Sequence, residues 1–130
     1  MSLEDVNVLK ERAIKFLKNA ERLFDEKVYD IAAFNVQQFV ELYLKYKLFI
    51  FAGEYPKTHS IKRLIKELGK FAKKEQEVYN FLEDNIDRIS NLENAYITAR
   101  YLPTEFEKKE VENMIDVAKK IKNFVDELKV

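Results

Sequence analysis

The stretch YDIAAFNVQQFVELYLKYKLFIFA, residues 29–52, decides the fold of this chain. It contains neither glycine nor proline, and its apolar residues cover more than the single stripe of a surface helix. A helix that is apolar on several sides must contact several neighbours or a partner subunit. The pattern therefore predicts a central helix that begins near Tyr29–Asp30 and runs to about Ala52, with Gly53 as its C-terminal cap.

Apolar residues at three- and four-residue spacing predict further helices on both sides of this central one. Ser2, followed by acidic residues, predicts the start of a first helix that ends near Glu26 or Lys27. After the central helix, the sequence predicts a short helix from Ser60 to near Gly69 and then a hinge over Lys70–Lys74. A long helix is predicted from about Glu75 to Arg100, with a break near Ser90–Asn91 as an alternative. The last helix is predicted to start at the capping box Thr104–Glu107. The predicted fold is all-α, an up-down antiparallel bundle of four long helices plus one short helix.

The composition is typical of one helical domain, which we assign to residues 1–130. Only two glycines and two prolines are present, too few for the tight turns of a hairpin-rich sheet. Without cysteine the chain has no disulfide and no thiolate metal site, so a cytoplasmic location is predicted. The 23 basic and 23 acidic residues give zero net charge, so any nucleic-acid site must be local.

A line of polar residues interrupts the central helix. Gln37, Glu41 and Lys45 follow one another at four-residue spacing and therefore lie along one side. One interpretation is an exposed Glu-to-Lys pair that adds about 0.3–0.5 kcal/mol to helix stability. The other interpretation is the polar wall of a binding cleft.

Two further places have the chemistry to hold an anion. His59 and Arg63 flank the predicted N-terminus of the short helix, where free N–H groups and the helix dipole favour negative charge. A local packing or capping role is the alternative for His59. Arg100 and Tyr101 end the long helix, and they could bind phosphate in a fork and stack on a base. The alternative for Arg100 is an ordinary interaction with the helix dipole.

Three blocks of sequence, taken in order, resemble a known family. They are YDIAAFNVQQFVELYLK at residues 29–45, YPKTHSIKRL at residues 55–64 and ARYLP at residues 99–103. Together they closely resemble the HEPN domain family, and the likeness extends from about residue 8 to the C-terminus. The resemblance implies a bundle of four or five helices that binds nucleotides or RNA and is often a homodimer. It also implies a partner, a small MNT-type nucleotidyltransferase, in a toxin–antitoxin module.

Many members of that family are metal-independent endoribonucleases whose hallmark is an arginine followed, after four to six residues, by a histidine. This chain departs from the pattern, since no arginine stands at that spacing before His59 and no histidine follows Arg100. Binding is therefore predicted more strongly than catalysis, with no metal and no cofactor. The predicted nucleotide-binding residues are Glu41, Lys45, His59, Arg63, Arg100 and Tyr101.

Two other functions stay open as alternatives. In the first, His59 acts as a general acid or base and Arg100 stabilises the phosphate, so that the chain is an endoribonuclease with a composite site. In the second, the chain is a protein-interaction module. The central helix and the loop after it carry more large rings than one small core needs, which also predicts a homodimer: Phe34, Phe39, Tyr43, Tyr46, Phe49, Phe51 and Tyr55.

Overall fold

The computed structural model describes residues 2–103 and 105–129. Within these ranges lie six helices and no strand, so the all-α prediction is confirmed. No helix in them is both long enough and apolar enough to cross a membrane. The helices are α1 (Leu3–Asp25), α2 (Tyr29–Ala52), α3 (Ile61–Ala72), α4 (Glu75–Asp84), α5 (Ile86–Tyr101) and α6 (Lys108–Asp126).

Helix α2 lies at the centre of the bundle, as its sequence predicts. It packs against α1, α3, α5 and α6, and its buried residues cover several sides of its axis. A short turn in which Lys27 adopts a positive φ of 63° reverses the chain between α1 and α2. At the other end Gly53 adopts a φ of 77°, and its N–H donates to the carbonyl of Phe49, which confirms the predicted glycine cap.

The predicted end of α3 at Gly69 is wrong. The helix continues to Ala72 and is capped by Lys73 in the left-handed conformation, so the predicted hinge over Lys70–Lys74 is reduced to a tight turn. Gly69 is buried against α4, where a Cβ atom would lie 2.7 Å from Cγ2 of Val78. The glycine therefore permits close helix packing and does not terminate the helix.

The long helix predicted from Glu75 to Arg100 is divided at Asn85, not at Ser90–Asn91. The side-chain amide of Asn85 donates to the carbonyl of Phe81 at 2.9 Å. Asparagine side chains compete with the backbone for such acceptors, which accounts for the interruption. The division explains why the bundle has six helices where five are predicted.

The start of the last helix also differs from the prediction. Glu107 is the N-cap of α6, and it forms a capping box with Glu110. Thr104, the predicted first residue of the box, lies outside the described residues. The helix itself continues to Asp126.

The aromatic rings of α2 divide between the core and its margin. Phe39 and Tyr43 are buried, whereas Phe34, Tyr46 and Phe49 are half-buried. Exposed apolar side chains are found on other helices as well, including Ile97, Tyr101 and Leu102 at the end of α5. The homodimer therefore stays a prediction.

A polar cluster joins α2 to α6. The carboxylate of Asp126 accepts hydrogen bonds from Lys122 at 2.7 Å and from the hydroxyl of Tyr43, and Lys47 lies 3.2 Å away. Burial alone would raise the pKa of Asp126, but the hydrogen bonds from Lys122, Tyr43 and Lys47 hold that pKa below its ordinary value. Burial raises the pKa of the Tyr43 hydroxyl, which stays protonated as the donor. The ionised carboxylate therefore stabilises the contact between the two helices.

We expect Asp126→Asn to lower the free energy of unfolding by about 1.5–3 kcal/mol near neutral pH, the worth of hydrogen bonds to a charged group. Because the folded-state pKa is depressed, this stabilisation is present above the pKa of the unfolded chain and is lost as the pH falls through the folded-state value. Urea unfolding curves of the two proteins should begin to converge below about pH 4, near the ordinary carboxyl pKa, and coincide only below the lower folded-state pKa of Asp126. A difference that stays constant with pH would contradict this role, and Asp116→Asn on the exposed face of α6 is the matched control.

We expect Gly69→Ala to destabilise the protein by about 1 kcal/mol. Alanine gains about 1 kcal/mol in helix propensity, but a methyl group pressed against the stiff side chain of Val78 costs about 1–3 kcal/mol. Adding Val78→Ala removes the obstacle, so the loss in the double variant should be smaller than the two single losses combined. Thermal unfolding measures all three variants, and additive losses would show that Val78 is not the obstacle.

Candidate functional site

The carboxylate of Glu41, on α2, is the centre of the candidate site. Its side chain is only 6% exposed, and it accepts hydrogen bonds from Gln37 Nε2 at 2.9 Å, Lys45 Nζ at 3.1 Å and His59 Nδ1 at 3.0 Å. The polar line of α2 therefore converges on one buried charge. The interpretation of Glu41 and Lys45 as an exposed surface pair is wrong, because the bundle covers them.

Glu41 fixes the orientation of His59. A carboxylate only accepts hydrogen bonds, so Nδ1 of His59 carries a proton and Nε2 is directed away from Glu41. The imidazole stacks on the ring of Tyr96 from α5, with the centroids 3.9 Å apart and the planes 18° apart. The His59 side chain is nevertheless 54% exposed. His59 is thus an accessible ring that is held by two neighbours.

Tyr96 contacts Arg100 as well. The guanidinium carbon lies 4.1 Å from the centroid of the Tyr96 ring, and the Nε–H donates to the Tyr96 carbonyl at 2.7 Å. The rings of Phe34 and Tyr101 lie 5.0 and 4.6 Å from the same carbon. Because the imidazole already covers one face of Tyr96, Arg100 is left with the other face. We refer to His59, Tyr96 and Arg100 as the His–Tyr–Arg stack.

The position of Tyr96 determines whether His59 and Arg100 can act together at one phosphate. They lie on the same surface of the bundle, but the ring of Tyr96 separates them. A single phosphorus atom cannot contact both side chains through that ring. The arrangement therefore suits the binding of an extended anionic ligand better than joint catalysis at one phosphate.

A groove of about 510 Å³ runs beside the stack, between the loop before α3 and the outer side of α5. It offers hydroxyl, amide and aromatic groups, and its size is that of a small-ligand site. In the described ranges no cluster of three His, Cys, Asp or Glu side chains could hold a metal ion. The lining residues are Thr58, His59, Ser60, Glu93, Asn94, Tyr96, Ile97 and Thr98.

The N-terminus of α3 is occupied by a carboxylate of the protein itself, that of Glu93. Oε1 of Glu93 accepts hydrogen bonds from the Ser60 hydroxyl at 2.9 Å and from the N–H of Lys62 at 3.1 Å. Ser60 Oγ accepts from the N–H of Arg63, so Ser60 caps α3 at the predicted start of the helix. The prediction of an open anion site at this helix end is wrong, because Glu93 fills it.

The other predicted site residues lie around this centre. Lys45 is 12% exposed, with Nζ between Glu41 and the ring of Tyr55, so it solvates the buried carboxylate. Arg63 lines a separate pocket of about 350 Å³ together with Tyr55 and Phe71. Tyr101 is 67% exposed beside Arg100. The structure therefore groups Glu41, Lys45 and His59, links Arg100 and Tyr101 to them through Tyr96, and leaves Arg63 apart.

Tyr96 and Glu93 are site residues that the sequence prediction misses. Tyr96 keeps the apolar phase of its helix, which predicts a core residue. A signal was nevertheless present, because Tyr96 precedes Arg100 by four residues, the spacing at which helical side chains touch. Glu93 carries no such signal, since its partners Ser60 and Lys62 stand 33 and 31 positions away.

Comparison with known proteins points to one family. The family model described as HEPN domain matches residues 6–128. The crystal structure of TT1696 from Thermus thermophilus is similar, at 26% identity and a TM-score of 0.77, over 95% of this chain and 98% of that chain. ST0689, described as an archaeal HEPN homologue, shares the fold at 23% identity and a TM-score of 0.67, over 93% and 94% of the two chains. No curated protein matches the chain in sequence.

We expect Glu41→Gln to lower the free energy of unfolding by about 1.5–3 kcal/mol, because the donors around Glu41 lose a charged acceptor. Guanidinium unfolding measures the loss. Glu54→Gln is the control, since Glu54 is exposed in the loop after α2 and its substitution should cost less than about 0.5 kcal/mol. If the two variants were equally stable, Glu41 would not be the centre of the site.

Proposed function

Since the chain belongs to the HEPN domain family, we propose that it binds a nucleotide or an RNA segment through phosphate groups at the His–Tyr–Arg stack. The observation that carries this proposal is that His59 and Arg100, two exposed side chains able to bear positive charge, are held on the two faces of one tyrosine ring. Arginine binds phosphate oxygens in a planar fork, and a protonated histidine adds a charged donor. Holding both side chains in place before binding reduces the entropy lost on binding.

The groove beside the stack supports the base and ribose part of the proposal. Asn94 and Thr98 present an amide and a hydroxyl on the same side of α5, and Ile97 adds an apolar contact. Exposed Tyr101 is a surface on which a base can stack. In this arrangement Glu41 and Lys45 act behind His59, and Arg63 contacts a more distant part of the ligand.

Binding is favoured over cleavage by the position of Tyr96. General acid–base chemistry and stabilisation of the phosphorane require both groups at one phosphorus atom, but the ring of Tyr96 lies between His59 and Arg100. Glu41 supports the alternative, since a carboxylate that orients a histidine is common in acid–base sites. RNA cleavage that is abolished by His59→Ala would establish this second function.

We further propose the partners that the resemblance implies. The chain would act as a homodimer and with an MNT-type nucleotidyltransferase, in a toxin–antitoxin-like module of the cytoplasm. The exposed apolar side chains Ile97, Tyr101 and Leu102 give a surface for protein contact next to the stack. Co-purification with the nucleotidyltransferase, and its loss in a variant of exposed Leu102, Leu102→Glu, would test the heteromeric contact.

Calorimetric titration with adenosine monophosphate and with a short RNA tests the binding proposal. We expect saturable binding of both ligands. His59→Ala and Arg100→Ala should each weaken the binding of the RNA, which carries several phosphates, about 10-fold or more, since a charge-assisted hydrogen bond is worth about 1.5–3 kcal/mol, whereas only one of the two variants should weaken adenosine monophosphate to that extent. Arg88→Ala is the matched control, because Arg88 is an exposed arginine near the start of α5, far from the stack along the helix. Absence of saturable binding, with and without the nucleotidyltransferase, would refute the proposal.

A further inference from the structure

A second pocket, with two cationic side chains among its lining residues, lies between α1 and α2, apart from the groove. It has a volume of about 370 Å³ and is lined by Arg12, Lys15, Phe16, Asn19 and Asn35. Arg12 and Lys15 are exposed, and neither forms an ion pair with a carboxylate among the described residues. Two free cations of the described chain therefore flank the opening of the pocket.

The inner wall of this pocket is a fixed pair of amides. Asn35 is only 5% exposed, its Nδ2 donates to the carbonyl of Ile31 at 2.7 Å, and its Oδ1 accepts from Nδ2 of Asn19 at 3.0 Å. The Asn19 oxygen in turn accepts from Arg22. Because these internal hydrogen bonds hold both amides, their orientation is fixed. A fixed amide pair with a guanidinium and an ammonium at the rim is suited to an anion that also forms neutral hydrogen bonds, as a phosphodiester does.

The pocket and the His–Tyr–Arg stack lie on two sides of the same turn of α2. Phe34 contacts Arg100, and the next residue, Asn35, lines the pocket. Neighbouring residues of a helix point about 100° apart. The helix positions of Ile31 and Gln38 fall between those two directions, and Ile31 is 44% exposed. Ile31 and Gln38 therefore lie on α2 between the two sites.

We infer that Arg12, Lys15 and the Asn19–Asn35 amide pair form a second phosphate site, and that the ligand is a single-stranded RNA of several nucleotides that runs from the stack across Phe34 to this pocket. The inference rests on the proposed function and extends it from one phosphate to a strand. Cations alternating with aromatic, apolar and amide surface are what unpaired nucleotides need, since phosphates require charge and bases require flat contacts. An acidic peptide would use the cations but not the rings between them.

Fluorescence anisotropy with labelled oligouridylates of one, two, four and eight nucleotides tests the inference. We expect the affinity to rise steeply with length, because a second site on the same strand binds at high effective concentration. The double variant Arg12→Gln/Lys15→Gln should bind the octamer about 10-fold more weakly and leave the mononucleotide within about twofold. The slope of log affinity against log salt for the octamer should fall by about 0.7, the value for one lost phosphate contact on a single strand.

The control is Lys66→Gln/Lys120→Gln, which removes the same charge from exposed positions on α3 and α6. Mononucleotide binding that does not strengthen with length would overturn the second site and leave the proposed function intact. Equal weakening by both double variants would show a bulk charge effect and also overturn it. Competition by polyglutamate as strong as that by RNA would assign the pocket to acidic peptides. If wild-type protein bound no member of the series, both proposals would fall.

Discussion

Glu41 places a negative charge inside the central helix, and such a charge is costly unless hydrogen-bond donors surround it. Gln37 and Lys45 supply donors from the same helix, but the third donor comes from His59, eighteen residues further along the chain. This requirement brings the loop after α2 back over the helix that precedes it. His59 then comes to lie against Tyr96 of α5. The position of the groove therefore depends on the solvation of one carboxylate.

The helices follow from local rules, and the departures follow from contacts between helices. Periodicity and caps predict α1, α2 and the start of α3 correctly, because the signals lie within a few residues of each boundary. Gly69 is a plausible helix end by composition, yet it is a packing position against Val78. Asn85 interrupts a periodic segment through a hydrogen bond to Phe81 that the pattern does not reveal. Sequence predicts an element well and its ends less well wherever a neighbour decides the outcome.

The site could be predicted in its parts but not in its assembly. Glu41, His59 and Arg100 stand out in the sequence because charged or titratable groups interrupt apolar segments or flank breakers. Their convergence depends on how three helices pack, which a one-dimensional pattern does not contain. Tyr96 shows the limit most clearly, since its spacing is that of a core residue while its ring joins the two halves of the site. An aromatic residue at the edge of an apolar stripe can serve both roles.

Helix α5 supplies Glu93, Tyr96 and Arg100 within about two turns. The N-terminal contact of α3, the stacking of His59 and the position of the Arg100 guanidinium therefore all depend on one helix. The exposed side of the same helix carries Ile97 and Tyr101. A protein partner that binds that side and shifts α5 would alter all three contacts at once. If that protein partner changes the affinity of the groove for a ligand, thermodynamic linkage requires that the ligand change the affinity for the partner by the same factor. Cooperativity between the binding of a small ligand and the binding of a protein partner would thus arise because both contact the same helix, without a separate pathway between the two sites.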